Sequence, residues 1–225
     1  MSENLIKRVF TSLILLSILS VCLFLNNYSW LLLVITASII TFFEFNNLVK
    51  KILKGKKTYF YIVNLISFFY LIFFAYSSYE LYKAGLIITV FILLICSFSD
   101  IGGYIIGKSI GGKKLTKISP NKTISGSIGS FVFSLFPIIL FLIIYELTNN
   151  KDFRIHKHEF DNVIVLCLFT CLICQLGDLL ISYFKRKAKI KDTGSILPGH
   201  GGLLDRIDGI LFAIPSVFIV DKIFF

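Results

Sequence analysis

Long apolar runs alternate with short charged segments along this chain of 225 residues. A helix needs about 20 mostly apolar residues to cross about 30 Å of hydrocarbon. Seven stretches come near that length, with approximate limits at residues 9–25, 28–49, 58–76, 84–99, 127–147, 162–182 and 202–220. The pattern therefore predicts an all-α, polytopic integral membrane protein with about seven transmembrane helices.

The composition agrees with a membrane location. Hydrophobic residues make up 56% of the chain, which contains 24 Phe and carries a formal net charge of +10. A globule of this size has too little interior to hide so much apolar surface. The positive charge does not indicate nucleic acid, because the cations occupy short segments between apolar runs. Anionic membrane lipids and a cytoplasmic loop bias explain that distribution better.

The distribution of Lys and Arg also predicts the orientation. With a cytoplasmic N-terminus, 18 of the 23 Lys and Arg fall in cytoplasmic segments, as the positive-inside rule requires. Residues 1–99 then form an N-terminal region of four spans, and residues 100–225 form a second transmembrane region. Charged residues from three helix ends reach the cytoplasmic face; they are Asp100, Lys122, Asp178, Asp205 and Asp208.

The segment of residues 182–208 concentrates polar chemistry in an otherwise apolar protein. Five cations fall within seven residues of it, namely Lys185, Arg186, Lys187, Lys189 and Lys191. Such cations repel one another unless anions lie among them, either lipid headgroups or a polyphosphate. The acids of the same segment would repel phosphates unless a divalent metal ion intervenes. The 182–208 segment therefore predicts phosphate chemistry at a membrane face.

Three acids are candidates for binding that metal ion. Asp178 lies among apolar residues near the end of the sixth predicted helix, where an acid is costly and by default functional. Asp205 and Asp208 are three residues apart, so they share one side of the seventh helix. The free N–H groups at a helix start favour the binding of a phosphate. As an alternative to a metal ligand, one of the two acids could be an N-terminal cap that matches the helix dipole. A metal ion bridging Asp178 and Asp205 would account for the acids and the cations together.

Residues 102–109 match the P-loop pattern of two spaced glycines followed by Lys and Ser. A P-loop joins a buried strand to a helix, and no strand is predicted here, so that fold is not expected. The segment would then touch phosphate as a Gly-rich basic loop or bind lipid headgroups.

Glu44 lies late in the second predicted helix. An acid at this depth either lines a polar cavity or reaches out to the membrane interface, and the sequence leaves both readings open.

Three cysteines, Cys167, Cys171 and Cys174, fall on one helical face. No His or acid accompanies them, so we interpret them as small packing residues rather than metal ligands.

The 182–208 segment resembles a known family. The residues that carry the resemblance are Ser182, Lys185-Arg186, Lys191-Asp192, Pro198, His200-Gly201-Gly202, Asp205-Arg206 and Asp208. In this spacing they resemble the signature of phosphatidate cytidylyltransferase, also called CDP-diacylglycerol synthase. The central loop is similar too, through Asp100, Tyr104, Gly107, Ser119-Pro120, Lys122-Thr123 and Gly126. Ile124-Ser125 stands where most bacterial members have Trp-Glu, so the role of that Glu does not transfer to this chain.

The resemblance implies an activity. Members of the family transfer CMP from CTP to phosphatidic acid, releasing pyrophosphate and giving CDP-diacylglycerol for phospholipid biosynthesis. They need a divalent cation, usually Mg²⁺, and a second cation is left open. Their location is the bacterial cytoplasmic (inner) membrane, and because members form dimers, a homodimer is expected here.

The same resemblance implies that residues 100–225 form the catalytic transmembrane domain, with its active site at the cytoplasmic face, and it assigns roles to residues. The implied metal ligands are Asp178, Asp205 and Asp208. The implied catalytic residues are these three acids with Lys185, Arg186 and His200. The implied substrate-binding residues are Asp100, Ser119, Lys122, Thr123, Ser182, Lys191, Asp192, Gly201, Gly202 and Arg206.

Other functions remain as alternatives. A CTP-dependent lipid kinase of the polyprenol or phytol type would transfer the γ-phosphate to an alcohol. An ion-coupled transporter would also carry acids in the membrane, but near the midplane and often in inverted repeats, whereas here they gather at one face. A purely structural membrane subunit would leave the acids and the Gly-His-Gly-Gly stretch unexplained.

Overall fold

The structure, a computed structural model, describes residues 3–148 and 160–224. Over these residues the backbone is mainly α-helical, with two isolated β-bridges and no sheet. The helices are α1 (Glu3–Leu25), α2 (Asn27–Ile52), α3 (Lys57–Ala84), α4 (Leu86–Ile110), α5 (Ile124–Phe133), α6 (Phe136–Thr148), α7 (Phe160–Lys187) and α8 (Leu204–Phe224). The all-α prediction is confirmed.

Within the described residues, six helical stretches are long and apolar enough to cross a membrane. They are Lys7–Leu25, Asn27–Ile52, Lys57–Ala84, Leu86–Ile110, Ile124–Thr148 and Phe160–Lys187. The prediction of a polytopic membrane protein is confirmed. Helix α8 coincides with the seventh predicted span but carries charged residues at both ends, from Asp205 to Lys222. It is not among the six stretches, so that span stays a prediction.

The predicted fifth span is divided into α5 and α6. The break falls just before Pro137, the second residue of α6. Proline has no N–H to bond the carbonyl four residues earlier, and it disfavours helical geometry at the preceding residue. Tighter bonds close the break, with the Leu135 N–H donating to the Val132 carbonyl at 3.3 Å and the Ile138 N–H to the Leu135 carbonyl at 3.1 Å.

The backbone divides into two compact units. The first unit comprises Met1–Lys83 with Ile181–Asp208, and the second comprises Ala84–Leu180 with Gly209–Phe225. The 182–208 segment therefore belongs to the first unit. The division predicted from the sequence, with a catalytic domain from residue 100 onward, concerns function and stays a prediction.

In the first unit, two aromatic residues join α1, α2 and α3. The rings of Trp30 and Tyr82 stack with centroids 5.7 Å apart. The Trp30 indole N–H donates to the Ser78 carbonyl at 3.2 Å, and the Tyr82 hydroxyl donates to the Leu23 carbonyl at 2.7 Å. Both polar atoms are thus satisfied while the rings remain buried.

In the second unit, glycines let α4 and α5 pack closely. A Cβ added at Gly102 would lie 2.5 Å from the Gly129 carbonyl oxygen, and one at Gly103 would lie 2.7 Å from the Ser130 hydroxyl. Small residues with this spacing are typical of close helix pairs in membranes. Residues 102–109 belong to α4, so the expectation of a loop there is wrong, while contact of this segment with phosphate or lipid headgroups stays a prediction. Gly102 and Gly103 serve the packing of α4 against α5.

The cysteines of α7 are packing residues, as interpreted from the sequence. Cys167 and Cys171 are fully buried, and Cys167 packs in an apolar cluster with Phe91 and Ile95. The Gln175 amide donates to the Cys171 sulfur at 3.3 Å. These cysteines have no arrangement that would hold a metal ion among the residues that the structure describes.

Candidate active site

The cations of the 182–208 segment begin on the last turn of α7. Helix α7 ends at Lys187, and the next residues close its end. The Ile190 N–H donates to the Lys185 carbonyl at 3.0 Å, and the Lys189 N–H donates to the Arg186 carbonyl at 3.1 Å. Together with the left-handed conformation of Lys189 at φ 56°, these bonds form a Schellman motif. Cations therefore lie both on the helix and in the loop that follows it.

A tight turn lies in the middle of this loop, at residues 197–200. The His200 N–H donates to the Leu197 carbonyl at 2.9 Å, with Pro198 at the second position and Gly199 at the third, where φ is 77°. This is the composition and the backbone geometry of a type II turn. The Leu197 N–H then donates to the Gly201 carbonyl at 3.0 Å, so the Gly-rich stretch is an ordered turn.

Asp205, in the first turn of α8, is a buried acceptor of four hydrogen bonds. Its Oδ1 accepts from Lys185 Nζ at 2.7 Å, and the side chains of Asp205 and Lys185 are only 7% and 15% exposed. Its Oδ2 accepts from the Thr193 N–H at 2.7 Å, the Thr193 hydroxyl at 3.0 Å and the Gly202 N–H at 3.1 Å. Burial alone would raise the pKa of Asp205, but these bonds and the Lys185 charge lower it below its ordinary value. Asp205 is therefore ionised at neutral pH.

Glu44 of α2 supplies the cap of α8. Its Oε1 accepts from the Leu203 N–H at 3.0 Å, and its Oε2 accepts from the Leu204 N–H at 2.8 Å. The Thr193 hydroxyl lies 3.0 Å from both Glu44 Oε2 and Asp205 Oδ2, so the two carboxylates share its single hydrogen. Glu44 is 4% exposed. The first N–H groups of a helix need acceptors, and Leu203 has no side-chain oxygen to provide one. Glu44 therefore lines a buried polar site and does not reach out to the interface.

Gly202 is required by the close approach of Glu44. A Cβ at Gly202 would lie 2.5 Å from Glu44 Oε2, and a Cβ at Gly194 would lie 2.5 Å from Glu44 Oε1. The sequence signal for the capping role of Glu44 was the pair of glycines, Gly194 and Gly202, before a helix start that lacks a polar capping residue. It could not identify a partner about 150 residues away.

The His200 ring contacts α1. Its Nδ1 lies 2.6 Å from the Thr11 hydroxyl, and its Nε2 lies 3.4 Å from the Ser12 hydroxyl. The Thr11 hydroxyl donates its single hydrogen to the Lys7 carbonyl 2.9 Å away, so we assign the proton of the ring to Nδ1, which donates to Thr11.

The charge of His200 follows from its surroundings. Partial burial and the positive charges of Arg206 and Arg8 lower the pKa of His200 below its ordinary value. The ring is therefore neutral at pH 7. A neutral ring with a free electron pair on Nε2 accepts a proton more readily than it donates one.

A pocket of about 600 Å³ opens beside this turn. Its walls include the cations Arg8, Lys191 and Arg206 and a single carboxylate, Asp192. His200 also lines the pocket, and its carbonyl accepts from Arg206 Nη2 at 2.8 Å. With more positive than negative charge on its walls, the pocket is suited to a phosphate-bearing ligand. It brings together the predicted residues Lys191, Asp192, His200, Gly201 and Arg206.

In the second unit, Asp100, Lys122 and Asp178 lie together. The Lys122 ammonium forms an ion pair with the Asp178 carboxylate, and both side chains are a little over a quarter exposed. Asp100 lies close enough to interact with both charges. Two carboxylates thus share one cation, which leaves a net negative charge and oxygen ligands of the kind that Mg²⁺ prefers.

The loop between α4 and α5 positions Lys122. The Leu115 N–H donates to the Lys122 carbonyl at 2.8 Å, and the Lys122 N–H donates to the Ser119 carbonyl at 3.1 Å. Thr123 caps α5 by accepting from the Gly126 N–H at 3.0 Å. Ser125, at the place of the family's Glu, donates to the Gly111 carbonyl. The predicted residues Ser119, Lys122 and Thr123 therefore belong to one ordered loop.

Three further predicted residues lie on α7 and α8. Ser182 is buried on α7, Arg186 is exposed on the last turn of the same helix, and Asp208 is partly buried on α8.

The donor set fits a magnesium ion. No group of three or more His, Cys, Asp or Glu side chains that could hold a metal ion occurs within residues 3–148 and 160–224. Mg²⁺ needs only one or two carboxylates, because substrate phosphates and waters complete its shell. The carboxylates of Asp100 and Asp178 meet that requirement in the second unit. The predicted bridge from Asp178 to Asp205 stays a prediction.

The Asp100–Lys122–Asp178 group and the 182–208 segment both lie within the residues that match a known family. The model of the cytidylyltransferase family matches residues 52–224. A phosphatidate cytidylyltransferase of Rickettsia bellii is 43% identical over 129 residues, which are 56% of this chain and 53% of that protein. The protein of the same name in Bacillus subtilis is 39% identical over 127 residues, or 56% and 44% of the two chains. One from Staphylococcus aureus is 41% identical over 143 residues, or 63% and 52%. The chain spans about half the length of the curated relatives it matches.

Proposed function

The chain belongs to the cytidylyltransferase family, and on that premise we propose that it transfers CMP from CTP to phosphatidic acid. The products are CDP-diacylglycerol, for phospholipid biosynthesis, and pyrophosphate. One observation carries the proposal, namely that the family match at residues 52–224 includes both the Asp100–Lys122–Asp178 group and the 182–208 segment. The choice of phosphatidic acid rests on the name that the relatives share.

In the proposed reaction, a phosphate oxygen of the lipid attacks the α-phosphorus of CTP. A new P–O bond forms there as the bond to the β-phosphate oxygen breaks, and pyrophosphate leaves with the electron pair. Both reactants are anions, so positioning and charge neutralisation dominate the catalysis. Lys185, Arg186, Lys191 and Arg206 would bind the triphosphate and the departing pyrophosphate, while Lys122 would hold a phosphate of CTP or of the lipid.

Mg²⁺ would supply further neutralisation of the phosphates, with Asp178, Asp205 and Asp208 as the proposed ligands and Asp100 close to Asp178. Asp205 is ionised and Asp178 faces a cation already, so both are ready to hold positive charge. No general base is needed at the nucleophile, because a phosphate monoester is ionised at neutral pH.

His200 has a positioning role in this proposal. Its neutral ring and its contact with Thr11 make it a poor proton donor to the leaving pyrophosphate, which is an adequate leaving group once its charge is neutralised. The ring instead connects the 197–200 turn to α1.

The proposed setting is the bacterial cytoplasmic membrane, with the reaction at the cytoplasmic face. The placement of 18 of 23 Lys and Arg in segments predicted to be cytoplasmic supports this orientation. Phosphatidic acid would come from the surrounding lipid, and a homodimer is the proposed assembly.

Product analysis tests the proposal against the lipid kinase alternative. Purified protein is supplied with CTP, Mg²⁺ and either phosphatidic acid or a polyprenol, and the soluble products are separated. Pyrophosphate formed only with phosphatidic acid supports cytidylyl transfer. CDP formed only with polyprenol would overturn the proposal in favour of the kinase.

Replacing Lys122 with Ala is expected to raise the KM for CTP or phosphatidic acid by about tenfold, as expected for one charge-assisted contact. The change removes the cation that faces Asp178, so Asp178 would also repel the incoming phosphate. Steady-state kinetics measures the effect, with Lys117→Ala in the same loop as a control of equal charge change. Identical kinetics for the two variants would show that Lys122 does not contact substrate.

A further inference from the structure

Arg8 of α1 lies on the wall of the 600 Å³ pocket, although α1 is outside the residues that the family model matches. The match begins at residue 52, so α1 lies outside it. The pocket is nevertheless lined by Arg8 together with Lys191, Arg206 and residues of the 197–200 turn. The first helix of the chain therefore contributes to the same pocket as the 182–208 segment.

The guanidinium of Arg8 is oriented by one hydrogen bond and retains free donors. Its Nε donates to the Gly199 carbonyl at 2.9 Å. Its two terminal Nη groups have no hydrogen-bond or ion-pair partner among the described residues. Arg presents its N–H groups in a planar fork that matches the oxygens of a phosphate. One arm of the fork is thus anchored, and the others are available to a ligand.

The neighbours of Arg8 are also cationic. The pocket wall holds Arg8, Lys191 and Arg206 against the single carboxylate of Asp192. Like charges around one cavity repel one another unless an anion neutralises them. The excess of positive charge is therefore most favourable when a multiply charged anion occupies the pocket.

One further hydrogen bond holds α1 against the pocket. The Thr11 hydroxyl accepts from His200 Nδ1 at 2.6 Å and lies 3.3 Å from the Pro198 carbonyl oxygen. Arg8 and Thr11 are three residues apart, so they lie on the same face of α1. That face meets the turn at Pro198, Gly199 and His200.

We propose that Arg8 binds a phosphate group of the ligand in this pocket, together with Lys191 and Arg206. The chemical class of the ligand is a diphosphate or triphosphate anion. Its identity as CTP or pyrophosphate rests on the proposed function, whereas the binding of the anion itself does not. Arg8 is thus a substrate-binding residue supplied from outside the matched region.

Binding of inorganic pyrophosphate to the purified full-length chain, measured by calorimetry, tests the proposal without requiring turnover. Arg8→Gln is the central variant, because Gln keeps a donor for the Gly199 carbonyl but removes the charge. Lys54→Ala, on the exposed turn after α2, is the control of equal charge change. We expect the Kd of Arg8→Gln to rise by about tenfold, that of Arg8→Lys to rise less, and that of Lys54→Ala to match wild type.

Equal binding by wild type and Arg8→Gln would overturn the proposal and leave Arg8 with only its bond to Gly199. Absence of pyrophosphate binding to the wild-type chain would overturn it as well. Kinetics then identifies the ligand, since a raised KM of Arg8→Gln for CTP indicates the nucleotide, whereas a raised KM for phosphatidic acid alone would overturn the assignment of a diphosphate or triphosphate. If the wild-type chain binds pyrophosphate but transfers no cytidylyl group, the proposed function fails while the Arg8 site stands.

Discussion

Replacing Asp205 with Asn is expected to lower cytidylyl transfer by at least about 100-fold, the scale set by losing a preorganised charge at a reacting centre. The carboxylate is a proposed ligand of Mg²⁺, and a neutral amide is a weaker ligand. The variant also leaves Lys185, whose side chain is 15% exposed, without its counter-charge. The Asn amide group would face at least one donor among Lys185, Thr193 and Gly202. The variant should therefore lose both activity and stability.

Asp178→Asn separates these two effects. Its partner is Lys122, and both side chains are more exposed than the Asp205–Lys185 pair. We expect Asp178→Asn to lose transfer to a similar degree while its unfolding temperature stays close to wild type. Transfer measured in detergent and thermal unfolding followed by circular dichroism give the two readouts. Turnover at the wild-type level for either variant would contradict the assignment of these acids as metal ligands.

The stability contributed by Asp205 has a defined pH dependence. Since hydrogen bonds and Lys185 lower the pKa of Asp205 in the folded protein, this contribution is fully present above the unfolded value, about 3.9. It is lost as the pH falls below that value toward the folded pKa. Neutral or mildly acidic conditions should therefore leave this part of the fold unchanged.

Replacing Glu44 with Gln is expected to destabilise the protein and to reduce transfer. Glu44 accepts two backbone N–H bonds with its two oxygens and shares the hydroxyl hydrogen of Thr193 with Asp205, and Gln would turn one oxygen into a donor. At least one N–H at the start of α8 would then lack an acceptor, at a cost of about 1–3 kcal/mol for a buried donor. The first turn of α8 carries Asp205, so its displacement would lower kcat more than it raises the KM for CTP.

Glu80→Gln is a suitable control for Glu44→Gln. Glu80 lies on α3 in the same unit, and among the residues that the structure describes it pairs with nearby Lys83 at 3.3 Å on the surface, a pair of small energetic value. Unfolding temperature and steady-state kinetics are measured for both variants. Equal behaviour of Glu44→Gln and Glu80→Gln would contradict the capping role of Glu44. Glu44→Asp is not expected to restore the unfolding temperature or the kinetics of the wild type, because the Asp side chain is one methylene shorter.

Much of the fold was predictable because each membrane helix is recognised from its own apolar run in the sequence. The residues of the 182–208 segment were predictable for a related reason. Charge is costly inside the hydrocarbon, so a charged segment is easily recognised between apolar runs. The break before Pro137 had a local signal as well, but hydropathy averages over it. In contrast, residues 102–109 matched a phosphate-binding pattern while their glycines serve the contact of α4 with α5. A pattern of glycines does not distinguish a loop from a close helix pair.

The roles of Glu44 and Arg8 could not be predicted from the sequence. Each acts through contacts with the loop at residues 193–204, more than 140 positions further along the chain. Locally, Glu44 was compatible with a buried site or with the interface, and Arg8 was one of two cations before an apolar helix. Their functions depend on tertiary contacts that no local pattern contains.

The transfer of label from α-³²P-CTP into lipid is the measurement that tests the central claim most directly. Purified protein is incubated with phosphatidic acid and Mg²⁺, with and without EDTA, and the lipid phase is extracted and counted. The account predicts label in the lipid phase only when the metal ion is present, and none with Asp178→Asn or Asp205→Asn. Absence of label in the lipid with folded wild-type protein, or transfer that persists in EDTA, would contradict metal-dependent cytidylyl transfer by this chain.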